Sequence, residues 1–384
     1  MNKKRSLWVL FCCCLLLLLS FPVHAEEPDG DFAETVPNEF SDFLGALPEE
    51  LLELLPEELF TDSSADLNEA VREMSDFSYL LQTVLNVLGV CLPDCLRLLA
   101  SVMGLLLLSA VFSALRGSMK SESVGKAFSL ASSLAILSSI LLSGYTAIQS
   151  VTDYFDRLNT VTAATIPLLG ILYSMGGNVT AAVASAGGLT VYLGVMENII
   201  GKSIVPFCGV CLAFAWMSAS GFGLRIGTLL ATLKKHYTTL LAFLMMLLLA
   251  MLGAQTALGA SADSLAMRGV KFAAGNMIPV VGGSVSELLR TVSAGIGYLR
   301  GTLGICGILL LLLLLLPTLV ELLLYRSVWQ IAASAADLLG CDSEKKLLDE
   351  IASLNGYLIA AVSICSSVLL LSFTLLTRCA SAIG

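Results

Sequence analysis

Histidine is almost missing from this chain. Of 384 residues only His24 and His236 are histidine. A histidine-based metal site or a nucleophile–histidine–acid triad has nearly nothing to build on. Charge is equally scarce, at 13% of residues, against roughly 25% in an ordinary soluble domain. No phosphate-binding glycine loop, no dinucleotide loop and no pair of carboxylates spaced for acid–base work occurs. No basic stripe with interleaved aromatics occurs either, which argues against nucleic acid. No catalytic set, no cofactor and no metal site is expected. Plentiful serine and threonine without a base at useful spacing leave intramembrane hydrolysis as the weakest reading.

The 11 cysteines do not form a disulfide framework. Cys12, Cys13 and Cys14 crowd the N-terminal apolar run. Cys306, Cys365 and Cys379 lie in or beside apolar stretches, where cysteine behaves as a small hydrophobe. Cys208-x-x-Cys211 sits in an uncharged run with no βαβ context, so helix packing outweighs a redox role. Cys91 and Cys95 are one helical turn apart, a spacing that leaves a bridge as the alternative to two free thiols.

What is abundant is apolar surface: 57% of the chain is hydrophobic. With so little charge, the expected solvent is lipid. The fold class is all-α: a polytopic helical membrane protein, led by a signal sequence and carrying a short acidic extracytoplasmic arm. Residues 1–25 read as the signal, with Lys3, Lys4 and Arg5 before the Leu7–Leu19 run and a small-residue cleavage site at Val23-His24-Ala25. An uncleaved anchor is the alternative.

Residues 26–94 read as a water-exposed helical arm. Within it, residues 26–76 carry 17 acidic groups and one basic group, Arg72. The remainder, residues 77–384, is mildly basic, with 17 basic against 13 acidic groups. Leu47-Pro48-Glu49-Glu50-Leu51 recurs as Leu55-Pro56-Glu57-Glu58-Leu59. Proline followed by two glutamates starts a helix, favoured by the positive end of the helix dipole. Leu67, Ala70, Val71, Met74, Phe77 and Leu81 continue with 3–4 spacing, an amphipathic helix. Its apolar face packs either on the chain's own membrane domain or on a docking protein.

Uncharged windows fall at 98–115, 127–152, 158–196, 203–224, 237–262, 301–320 and 351–377. A span takes roughly 20 residues, so 158–196 is split at Gly176-Gly177-Asn178, a turn signal. The expectation is eight spans. Six of them lie in 95–262 and two in 301–384, with an amphipathic loop at 325–350. Basic residues place Arg116, Lys120, Lys126, Lys234, Lys235, Lys345 and Lys346 inside, and acidic Asp153–Arg157 in an outside loop. Small residues through 181–188 and Gly297-x-x-x-Gly301 permit close helix approach, read as internal packing rather than self-association.

Residues 263–300 do not fit this alternation and hold the most informative stretch. Lys271-Phe-Ala-Ala-Gly275-Asn276-Met-Ile-Pro279-Val-Val-Gly282-Gly283 is too short between charges to span, and its glycines and proline interrupt helical hydrogen bonding. Broken backbone at membrane depth is tolerated only where it is buried in protein or lines a wet cavity. The stretch reads as a re-entrant or interfacial element, with Lys271, Gly275, Asn276, Pro279, Gly282 and Gly283 as the functional candidates. A tight connection between helices is the plain alternative. Glu197, beside Asn198 and Lys202, and Glu321, five residues before Arg326, are candidates for a polar path; surface snorkelling is the alternative for each.

Asp263-Ser264-Leu265-Ala266, Lys271-Phe272-Ala273, Gly275 through Gly283, Ser286 and Thr291-Val292 together resemble the signature of the stage III sporulation protein AE family. The specific match covers about 40 residues, and the layout of signal, arm and many spans is similar along the whole chain. The pattern departs at Gly295-Ile296, where a Cys-Ser pair is expected, and at Arg300-Gly301, where Lys-Asn is expected. The first departure removes polar groups, so no role is carried over there; the second keeps the charge. The resemblance implies a non-enzymatic membrane subunit of a complex linking mother cell and forespore during endospore formation. That complex is a channel or secretion-like conduit. The implied location is the mother-cell membrane around the forespore, and the implied partners are other membrane subunits and the bilayer. The rival reading is a stand-alone secondary transporter with its site at the broken helix 271–283. Transporters often show inverted repeats, and none is convincing here.

Overall fold

Long apolar stretches free of turn signals leave the backbone one way to satisfy itself, hydrogen bonding within a helix. The computed structural model describes residues 38–48, 52, 55–60, 64–116, 122–175, 179–195, 201–219, 227–244, 246, 247, 250, 253 and 282–381. Every regular element among them is helical. In order they are α1 (Asn38–Gly45), a 3₁₀ turn (Glu57–Phe60), α2 (Ser64–Ser75), α3 (Phe77–Arg116), α4 (Glu122–Met175), α5 (Val179–Val195), α6 (Lys202–Ala219), α7 (227–244), α8 (Gly282–Leu338) and α9 (Asp342–Ser381). The expected signal segment 1–25 lies outside the described residues.

Three stretches are long and apolar enough to cross a membrane: Ser78–Val111 in α3, Thr302–Leu338 in α8 and Asp342–Leu371 in α9. Ala186–Val195 and Lys202–Ser218 are shorter apolar helices. The α8–α9 hairpin is the spine, and α3, α4 and α2 pack on α8 while α4 and α6 pack on α9. Leu309, Leu310, Leu311, Leu313, Leu314 and Leu315 of α8 are all buried. A helix apolar on every side belongs in the middle of a bundle, and that is where this one sits.

Several boundaries differ from the sequence expectation. The arm was expected to end at 94, but α3 runs unbroken from Phe77 to Arg116, through Pro93. The expected outside loop Asp153–Arg157 is part of α4, which spans 54 residues. Nothing between Ile148 and Pro167 breaks a helix, and Asp153 and Asp156 simply face outward. The division at 176–178 does fall where α4 ends and α5 begins, although the three residues themselves lie outside the described set. The boundary at 300/301 is interior to the 57-residue α8. The amphipathic loop at 325–350 is a helical hairpin instead. Gly340, at φ +70°, makes the turn; the Cys341 N–H donates to the Ala336 carbonyl at 2.9 Å and the Gly340 N–H to the Asp337 carbonyl at 3.1 Å. This pairing closes a helix end and needs the left-handed conformation that glycine adopts without strain. Asp342 and Glu344 then occupy the first turn of α9, where the helix dipole favours carboxylates. The Lys345 ammonium pairs with Asp337 across the turn.

The arm is folded onto the body. The backbone N–H of Leu52 donates to the Pro48 carbonyl and that of Leu59 to the Pro56 carbonyl, so both Leu-Pro-Glu-Glu-Leu units make the expected short turns. Phe40, Phe43, Leu44, Leu47, Leu55 and Leu59 are buried, as are Ala70, Val71 and Met74 of α2. The leucine face is thus turned onto the chain itself, with α1 on α4 and α2 on α8. Asp76 separates α2 from α3: its carboxylate accepts from the Ser78 hydroxyl at 2.6 Å and from the Ser78 N–H at 3.4 Å, capping α3. The apolar face expected to run on to Leu81 stops at this break, and Leu81 is exposed.

Two contacts gather the expected inside segments at one end of the bundle. Ser109, near the end of α3, donates to Oε1 of Glu344 at 2.7 Å, and Lys234 of α7 pairs with Glu350. A labelling experiment checks the sidedness. In a cysteine-free background, Asp42→Cys should react with an impermeant thiol reagent in intact cells. Lys235→Cys, exposed beside the buried Lys234, should react only after permeabilisation. Equal labelling of both in intact cells would remove this topology.

Candidate functional site

Glu321 lies five residues past the Leu309–Leu316 run of α8, at the point where three helices meet. From α4, the Ser150 hydroxyl donates to Oε1 of Glu321 at 3.0 Å. From α9, the Asn355 side-chain amide donates to the Leu322 carbonyl at 3.1 Å, and Asn355 is only 4% exposed. One turn further along α8, the Arg326 guanidinium lies against Gly356 of α9. A Cβ at Gly356 would stand 3.3 Å from Cζ and Nη1 of Arg326, so the glycine makes room for the cation. The third pair of helices is joined too. The Ser366 hydroxyl of α9 donates to the Val362 carbonyl at 2.7 Å, which makes Tyr154 of α4 the donor in its hydrogen bond to Ser366. Tyr192 of α5 donates to the Cys365 carbonyl at 2.9 Å. Polar side chains therefore bridge α4–α8, α8–α9 and α4–α9 inside a core otherwise made of leucine.

A second polar joint lies where α6, α7 and α9 meet. Lys234, 7% exposed, pairs with Glu350, donates to the Ser353 hydroxyl at 3.3 Å and sits 6.0 Å from the centre of the Tyr357 ring. Tyr237, one turn on, stacks on Phe207 at 3.8 Å, and Phe207 meets Tyr357 edge-on at 5.9 Å. Burying a lysine is tolerable only with this much compensation: an ion pair, a hydroxyl and an aromatic face.

Of the candidates read from the sequence, Glu321 lies in the three-helix junction. Gly282 and Gly283 form the first residues of α8. Lys271, Gly275, Asn276, Pro279 and Glu197 lie outside the described residues. The junction adds Ser150, Asn355 and Gly356, which the sequence reading passed over. A signal was available for one of them: Asn355 is a lone amide near the start of the uncharged window 351–377.

Among the described residues no group of three or more His, Cys, Asp or Glu side chains is placed to hold a metal ion. Cys91, Cys95, Cys208, Cys211, Cys306, Cys341 and Cys365 are all free thiols. At the hairpin turn, burial pushes the Cys341 thiol above its ordinary range, which keeps it protonated and unreactive.

A chain of long apolar helices, with its polar groups gathered at helix junctions and an acidic arm folded over the bundle, is a helical membrane protein. Residues 65–381 match the stage III sporulation protein AE family, and the chain belongs to that family. It is 26% identical to the stage III sporulation protein AE of Bacillus subtilis (strain 168) over 352 residues, covering 90% of this chain and 84% of that one. No solved structure matches the chain.

Proposed function

We propose that this chain is a membrane subunit of a channel or secretion-like complex between mother cell and forespore, required for endospore formation. Membership of the sporulation family over residues 65–381 carries the reading. The architecture supports it through three membrane-length helices with a polar junction inside them. In the full proposal the chain crosses the mother-cell membrane several times after signal cleavage, with the broken stretch 271–283 as a re-entrant or interfacial element. It has no enzymatic activity and works with other membrane subunits.

Deleting the gene in frame should let engulfment finish and then abolish heat-resistant spores. A tagged chain solubilised from sporulating cells should bring down membrane proteins made only during sporulation. Normal spore yield from the deletion strain refutes the sporulation assignment. Loss of spores combined with a chain that elutes alone refutes the complex and favours the stand-alone transporter.

A further inference from the structure

Side-chain contacts fix how deep α4 lies against the apolar core. Eleven residues inward along both helices from the Asn355–Leu322 contact stand Ser366 on α9 and Leu311 on α8. Ser366 is near the middle of the uncharged window 351–377, and Leu311 is within the leucine run. Tyr154 of α4 donates to Ser366, and Tyr192 of α5 donates to the Cys365 carbonyl beside it. At this level α5, α8 and α9 are uncharged, through 179–195, 301–320 and 351–377. α4 is not: Asp153 and Asp156 flank Tyr154, and Arg157 follows. α4 is not among the stretches apolar enough to cross a membrane by themselves. Its contacts nevertheless hold it at the depth where α8 and α9 cross.

The outward face of α4 at this depth is polar. From Ala147 to Pro167 its exposed residues are Gln149, Asp153, Asp156, Thr160, Ala163 and Pro167, and Arg157 is half-buried. Steps of three and four residues make this one stripe along the helix. It runs about 27 Å at 1.5 Å per residue, against about 30 Å of hydrocarbon in a bilayer. Among the described residues no large apolar side chain is exposed along it. Asn159, about 60° round the helix from Asp156, adds a buried Oδ1 with no hydrogen-bond partner among the described residues. The outward positions of α3 are the opposite in character: Leu81, Leu85, Val90 and Leu92 are exposed there, as contact with lipid requires.

Ionisable side chains at membrane depth face a protein interior or a water-filled cavity, not lipid. The α4 stripe is exposed on this chain, so its own interior does not cover it. A dry partner helix would have to match two carboxylates, an amide and a hydroxyl one by one. Water solvates all of them together and also reaches an unpaired acceptor such as the Asn159 oxygen. We propose that the Gln149–Thr160 face of α4 is one wall of a water-filled passage for hydrophilic solutes through the membrane. This inference rests on the channel complex proposed above, whose other subunits complete the wall.

The test is thiol chemistry on the full-length chain in the membranes of permeabilised sporulating cells. Single cysteines are added with the native ones kept, and blocking by a sulfonate-bearing methanethiosulfonate is timed above the parent chain's background. The reagent attacks the thiolate, which apolar surroundings suppress. Gln149→Cys, Asp156→Cys and Thr160→Cys should react at least about tenfold faster than Leu85→Cys and Val90→Cys on the lipid face of α3. Gln149→Cys and Thr160→Cys keep both carboxylates, so they report on the stripe even where Asp156→Cys fails to accumulate. Stripe thiols as slow as the α3 pair overturn the proposal and mark a dry contact with another helix. α3 thiols as fast as the stripe overturn it too, since water and lipid faces would then be alike. Spore yield of the deletion strain judges the channel reading separately, so either can fail without the other.

Discussion

Pro279→Ala combined with Gly282→Ala is expected to abolish heat-resistant spores while leaving the protein in the membrane at normal abundance. The argument begins with helix propensity. Alanine is better than proline by about 3 kcal/mol and better than glycine by about 1 kcal/mol inside a helix. Gly282 is the first described residue of α8, and the sequence expectation is that Pro279 and Gly282 keep the stretch before it out of a continuous helix. With both positions alanine, the helix is free to extend backward through Val280 and Val281. That converts the glycine–proline stretch into more of α8. The buried leucine run and its packing on α9 lie more than 25 residues downstream and are untouched, which is why insertion should survive. Heat-resistant spore counts and membrane immunoblots on the same cultures decide the outcome. Full spore yield with normal abundance would reduce the stretch to a connector.

Leu59→Asp should have an equally large effect of the opposite kind, loss of the protein itself. Leu59 is 1% exposed in the arm, packed with α2, whose Ala70 and Met74 are fully buried. Truncating such a leucine to alanine costs about 2–5 kcal/mol. Aspartate adds the penalty of an unpaired buried charge or of the proton needed to neutralise it. Total domain stability is commonly about 5–15 kcal/mol, so the arm should detach from α8 and the chain should be degraded. Exposed Asp42→Ala, on the outer side of α1, should be silent. Membrane abundance and protease sensitivity of the arm are the measurements. Normal levels of the Leu59→Asp chain, failing only in association with other proteins, would show instead that the leucine face serves a partner.

The sequence was most legible where composition alone decides. Helical class follows from apolar windows with no alternative backbone solution, and the two Leu-Pro-Glu-Glu-Leu turns follow from proline and dipole chemistry. The 158–196 split was readable because Gly176-Gly177-Asn178 is a strong breaker. Charge was the misleading guide. Asp153, Asp156 and Arg157 suggested a loop, yet a helix carries charge without breaking when the charged face looks outward. Lys345 and Lys346 likewise suggested a loop at 325–350, where Gly340 alone marks the turn. The junction was only half legible. Glu321 stands out as a charge after a leucine run, but its partner Ser150, like Asn355 against Leu322 and Gly356 against Arg326, comes from a helix whose register on α8 no single sequence reveals.

The length of α8 has a mechanical meaning. At 57 residues and about 1.5 Å per residue, it is a rod of roughly 85 Å, whereas the hydrocarbon of a bilayer is about 30 Å thick. One end is the glycine pair that closes the family's signature stretch, and the other is the Gly340 turn where α3 and α9 meet through Ser109 and Glu344. With no loop along its course to absorb a displacement, a tilt at the first end is delivered to the second as a smaller and opposite sideways swing. α8 is therefore a lever, and the polar junction about two-thirds of the way along it is where a fulcrum would stand.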